Sequence, residues 1–230
     1  MNGRNLKIAT IFGIPIKINA SWILVFLLVT WTLAVGYFPS DYPGLGKSTY
    51  WLMGIVSALL LFISILIHEL SHSYVVLKYK IPMHGITLFI FGGAAEMTEE
   101  PRNPRQEFTI AIAGLVASFI LGIFFLFLFF MTKIYYPNPA FSGVFKYLAI
   151  INFILIGFNI LPGFPLDGGR ILRAVLWHIK GNLREATRIA SNVGSAFGGM
   201  LIFFGLLNAF FGNFISGLWF IFIGFFLMNS

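Results

Sequence analysis

Cysteine is absent from the 230 residues, and charge is scarce: 15 Lys and Arg and 8 Asp and Glu make up 10% of the chain. The first absence excludes a disulfide framework and any thiolate metal centre, so a metal site has to rest on His and carboxylates. The second excludes most water-soluble classes. An ordinary soluble domain is about 25% charged, and a chain that is 58% hydrophobic cannot cover its surface with so few polar groups. A soluble enzyme, a disordered chain and a nucleic-acid-binding domain are all disfavoured. No nucleic acid is expected as a partner, because a net charge of +7 in a lipid-embedded chain reflects orientation. What is abundant is Phe (28) and Gly (24), and glycine is enriched in membrane helices that pack closely.

About 20 apolar residues span a bilayer as a helix. Uncharged stretches run Ile18–Ser40, Ser48–Ile67, Phe108–Met131 and Tyr147–Leu166. A further uncharged stretch, Ile189–Ser230, is about twice a bilayer in length at 1.5 Å per residue. It is expected to fold back in Asn208–Asn213, its one polar break with turn residues. The expected fold is an all-α polytopic membrane protein, a single core over residues 1–230. Its six transmembrane helices are placed near 18–40, 48–75, 108–131, 147–166, 189–207 and 214–228. Short β-strand segments are expected near the N-terminus (Lys7–Asn19) and after the second span. There Ile86–Met97, broken by Gly92-Gly93, reads as a hairpin or re-entrant loop.

Basic residues orient the chain. Arg4, Lys7 and Lys17, then Lys78, Lys80, Arg102 and Arg105, then Arg170, Arg173, Lys180, Arg184 and Arg188 fall on one side; Lys47, Lys133 and Lys146 fall on the other. Twelve of the fifteen therefore predict that both termini are cytoplasmic.

The chemistry is concentrated at the end of the second span, in His68-Glu69-Leu70-Ser71-His72. Residues i and i+4 share a helix face, so two imidazoles can bind one zinc ion while the glutamate beside the first reaches an attacking water. His72 precedes the next charge, Lys78, by six residues and His68 by ten, about 9 and 15 Å along a helix. The pair is therefore expected below the membrane surface, where ionisable residues are functional by default.

A catalytic zinc takes three protein ligands. His84 and His178 read as ordinary interfacial histidines. Glu96, Glu99, Glu100 and Glu107 read as a solvated face, with Glu96 nearest the apolar hairpin. Asp167 stands apart, in Asn159-Ile-Leu-Pro-Gly-Phe-Pro-Leu-Asp167-Gly-Gly-Arg170. Pro162, Gly163 and Pro165 break the helix before it, and the topology sets it on the same side as the histidines. A helix N-cap is the competing role; the common depth favours a ligand. Gly194 and Gly198 form a GxxxG pair suited to close helix packing.

The two motifs together resemble the site-2 protease family of intramembrane zinc metalloproteases. The resemblance covers the six-span core and implies one zinc ion per chain, held by His68, His72 and Asp167. Glu69 would be general base, and Asn159 would hold the substrate or its oxyanion, although an interhelical hydrogen bond is an equal use for that Asn. Ser71 stands where many members have Gly. Several microbial members carry a CBS pair after the last span; none falls within these 230 residues, so either this member lacks it or the chain continues past Ser230, and no loop between the expected spans is long enough for a PDZ insert. The implied partners are the lipid bilayer and a single-span membrane-protein substrate whose cytoplasmic part is released. A zinc transporter using the same helix is the alternative, but four histidines and one further candidate ligand offer little for a transport path. A structural metal site is a third reading, in which Glu69 is dispensable.

Overall fold

The computed structural model describes residues 5–89 and 92–228. Its elements, in chain order, are β1 (Asn5–Ile11), β2 (Ile14–Asn19), α1 (Ser21–Asp41), α2 (Lys47–Lys78), β3 (Met83–Phe89), β4 (Gly92–Met97), α3 (Pro104–Tyr135), α4 (Pro139–Asn159), α5 (Asp167–Lys180), α6 (Leu183–Phe210) and α7 (Phe214–Met228). Residues Leu33–Tyr37 of α1 are π-helical. Among the described residues, α1, α2, α3, α4 and α6 are long and apolar enough to cross a membrane, and the protein is an integral membrane protein. At 15 residues, α7 spans about 22 Å against a hydrocarbon core of about 30 Å.

The helices differ from the expected spans mainly where charges had marked the ends. α4 begins at Pro139, well before Tyr147, because Lys146 is paired with Asp41 at 2.8 Å and does not interrupt it. It stops at Asn159, before Leu166, where Pro162, Gly163 and Pro165 end the helical ladder. α3 begins at Pro104, before Phe108, and carries Glu107 inside its first turn. The break between α6 and α7 falls at Phe211–Asn213, within the stretch expected to turn, and Gly212 there has φ 90°.

Two compact units divide the chain. In the first (residues 1–100 and 116–156), the strands, expected as separate short pieces, pair into one four-stranded sheet of order β1-β2-β3-β4. β1 and β2 form a hairpin around Phe12-Gly13, both with positive φ (53° and 80°), the conformation of a type I′ turn. β2 then pairs parallel with β3, setting Ile16 beside Ile86. α1 and α2 form the crossover that a parallel pair requires. β3 and β4 are antiparallel, as a hairpin over Ile86–Met97 requires. The sheet's inward residues Ile14, Ile16 and Ile86 are buried against Leu66, Leu70 and Leu77 of α2, the helix that carries the histidines. A second cluster (Leu33, Phe38, Met53, Leu61, Phe125, Leu148) packs α1 to α4 together. Within it Asn152 of α4 donates to Ser64 Oγ of α2 at 3.3 Å, a polar tie between two lipid-embedded helices.

The second unit (residues 101–115 and 157–230) holds the start of α3, the turn after α4, and α5 to α7. Its longest seam is the α6–α7 pair, where glycine allows backbone contact. A Cβ on Gly198 would stand 2.7 Å from the carbonyl oxygen of Gly224, and one on Gly205 2.8 Å from that of Gly217. Gly194 packs on Gly163, so the GxxxG pair does serve close packing.

Candidate metal centre

The histidines follow from helix periodicity. His68 and His72 lie one turn apart on α2 and are buried, 6% and 5% exposed. Their rings cross at 82° and bring the two Nε2 atoms to 3.1 Å. The outer nitrogen of His68, Nδ1, is 2.9 Å from Ser118 Oγ on α3. Ser118 is fully buried, and a partner on the outer nitrogen fixes the ring's orientation and directs Nε2 inward. Ser118 was missed in the sequence, where a lone serine in an apolar helix carries no signal.

Glu69 occupies the next position on the helix and is half-buried. β4 lies across its side chain. A Cβ on Gly93 would overlap Glu69 Cγ and stand 3.1 Å from Cδ, so glycine at 93 lets the strand pass directly over the carboxylate arm. Ser71 turns its hydroxyl back to the Ile67 carbonyl at 2.7 Å.

Asp167 belongs to the second unit. It is the first residue of α5, with Leu166 as N-cap residue, which removes the N-cap role. Its position in the first turn suits a carboxylate, since it faces the positive end of the helix dipole. The side chain is buried, 7% exposed. The two glycines that follow explain how it is held. A Cβ on Gly168 would overlap the carbonyls of Ile160 and Leu161, and one on Gly169 would lie 2.6 Å from the Gly163 carbonyl carbon. The start of α5 therefore rests directly on the turn that precedes it. Asn159 is the last residue of α4 and half-buried.

The remaining candidates separate. His84 and His178 are exposed, as are Glu96, Glu99 and Glu100. Glu107 is the exception to the expected solvated face: it is 0% exposed and paired with Arg173. Its burial is possible because a guanidinium meets it.

The sequence profile of peptidase family M50 matches residues 56–144 and 135–202, which takes in both motifs. The chain belongs to peptidase family M50. A Synechocystis sp. protein bearing a zinc metalloprotease name is 41% identical over 227 residues, 98% of this chain and 58% of that protein. A zinc metalloprotease of Methanocaldococcus jannaschii is 38% identical over 204 residues, 89% of this chain and 55% of that protein. This M50 chain thus spans little more than half the length of those two relatives. The site-2 protease from Methanocaldococcus jannaschii shares its fold at a TM-score of 0.58 and 30% identity, over 99% of this chain and 96% of that one.

The histidine pair fits a metal on its own geometry. Two nitrogens each 2.0–2.1 Å from a tetrahedral zinc stand about 3.3 Å apart, close to the 3.1 Å between the two Nε2 atoms. Imidazole and carboxylate together are a donor set zinc accepts.

Proposed function

We propose that this chain is an intramembrane zinc metalloprotease that hydrolyses a peptide bond in the transmembrane segment of a single-span membrane protein and releases its cytoplasmic part. The observation that carries this reading is the converging pair of buried Nε2 atoms of His68 and His72, with Glu69 beside them in the chain. Asp167 is the proposed third ligand: like the histidines it is buried and offers one ligand atom. Membership of family M50 and the zinc metalloprotease names of its relatives support the assignment. Residues 1–230 act as one core, with the 15-residue α7 as a short sixth span that local bilayer thinning accommodates. The twelve-to-three distribution of basic residues supports cytoplasmic termini and a site near that face.

When bound, zinc lowers the pKa of water to near neutrality and polarises the scissile carbonyl. Glu69 takes a proton from the attacking water as its oxygen bonds to the carbonyl carbon, and delivers that proton to the amine nitrogen as the C–N bond breaks. Asn159 donates a hydrogen bond to the oxygen on which negative charge develops, an effect worth about 2.7–4 kcal/mol where such donors have been removed. A substrate helix has to unwind before cleavage, and its exposed N–H and C=O groups then need partners in lipid. β4 is an edge of the sheet, which supports strand addition as the way it is held.

The test is cleavage of a model single-span substrate by the purified chain and by Glu69→Gln, with bound zinc measured in both. Zinc is expected in both, with cleavage reduced about a hundredfold to ten-thousandfold in the variant. Undiminished cleavage by Glu69→Gln would refute the mechanism. Zinc flux into proteoliposomes would favour the transporter. Asp167→Ala is expected to lower zinc content; an unchanged content removes Asp167 from the site.

A further inference from the structure

Arg173 is only 13% exposed, and its partner Glu107 is completely buried. Arg173 Nε donates to Glu107 Oε1 at 2.6 Å, and Nη2 pairs with the same oxygen. The guanidinium also stands over Phe164, its central carbon 5.3 Å from the ring centroid. One side chain of α5 therefore grips the first turn of α3 with its edge and the turn before Asp167 with its face, the two ways a guanidinium binds. All three segments lie in the unit that contains Asp167.

The cost of this arrangement points to a purpose. A buried ion pair gives back in desolvation much of what it gains in attraction, and apolar residues of similar volume often stabilise as well. A hydrogen-bonded guanidinium and carboxylate additionally fix a direction, which in some proteins is what such a pair is kept for. The turn from Ile160 to Leu166 needs such a direction. It has few backbone hydrogen bonds of its own, among them Gly163 N to Leu161 O at 2.9 Å and Leu166 N to Gly163 O at 3.0 Å. Asp167 follows it immediately, and Arg173 lies six residues further on the same helix, about 9 Å along its axis.

We propose that Glu107, Arg173 and Phe164 form a clamp that sets the direction of the Asp167 carboxylate, as positioning residues for the third metal ligand. The proposal rests on the assignment of Asp167 as a ligand. It predicts that loosening the clamp weakens metal binding and distorts the metal's coordination, with the histidine pair untouched. Outer partners of metal ligands typically change affinity about tenfold to a hundredfold.

The experiment uses the whole chain, stripped of metal in detergent and titrated with Co²⁺ against a competing chelator. The cobalt absorption bands report coordination, and thermal unfolding of the metal-free protein reports the fold. Asp167→Asn is expected to lose most cobalt affinity and to change the bands. Arg173→Lys keeps the charge but loses the planar guanidinium and its two donors, and Phe164→Leu removes only the ring. Both are expected to bind cobalt about tenfold more weakly with shifted bands, while the metal-free melting temperature stays near the parent's. Glu107→Gln is expected to do the same with a lowered melting temperature; should it not fold, Phe164→Leu, which leaves the ion pair in place, decides. Parental affinity and bands in Arg173→Lys and Phe164→Leu, beside an altered Asp167→Asn, overturn the clamp alone. Parental affinity and bands in Asp167→Asn overturn the ligand assignment beneath it.

Discussion

The two motifs hold the proposed metal ligands by opposite means. His68 and His72 ride on the C-terminal third of a continuous 32-residue helix. Their spacing is set by helix geometry, and the Ser118 hydroxyl helps fix the direction of the His68 ring. Asp167 begins a helix, straight after a turn broken by two prolines, and its place depends on backbone packed against backbone at Gly168 and Gly169. A regular element tolerates the loss of one neighbour. An irregular one has no ladder to fall back on, so its accuracy is distributed over every contact it makes. Error should therefore be costlier around Asp167 than around the histidines.

Substitutions can break or sharpen that contrast. The largest effect is expected from Gly169→Ala, whose Cβ meets backbone atoms that cannot move aside. A strain of about 1–3 kcal/mol at the start of α5 should lower zinc content and melting temperature together, read by metal analysis and thermal unfolding. Gly93→Ala comes next. Its Cβ presses on the Glu69 arm, so with Glu69 as the proposed base the rate of cleavage should fall about tenfold or more, since a misplacement of about 1 Å can cost about a hundredfold, while zinc content stays at the parent's level. Ser118→Ala removes the partner of His68 Nδ1 and should weaken zinc about tenfold without changing the fold, measured by chelator competition. If Ser118→Ala proves more damaging than Gly169→Ala, the contrast between the two motifs is reversed. The smallest effect belongs to Lys146→Ala. Its partner Asp41 is about a third exposed, and exposed pairs contribute about 0–1 kcal/mol, so activity and zinc content should both be unchanged.

Parts of this arrangement are plain from the residues alone. The His68–His72 spacing, the break at Asn208–Asn213 and the strands at both ends of the first helical pair follow from local patterns. The helix ends at Lys146 and Glu107 are not legible from charge, because each charge is neutralised by a residue far away in the chain, Asp41 and Arg173. Ser118 and Gly93 were invisible for the same reason. A serine or glycine acquires a role only through the neighbour that folding brings to it, and nothing in its own surroundings in the chain names that neighbour. A helix cap is the competing local reading of Asp167, and it is excluded because Leu166 takes the cap position.

The parallel pairing of β2 with β3 also has a consequence for the order of assembly. Ile16 meets Ile86, so the N-terminal hairpin has no partner strand until α1 and α2 have been synthesised and inserted. The sheet covering the histidine helix is completed only after that helix is in the membrane. Deleting the first nineteen residues would therefore remove more than a tail: β3 would lose the strand beside it, and the β4 segment over Glu69 would hang from a two-stranded hairpin, which is marginally stable at best in isolation.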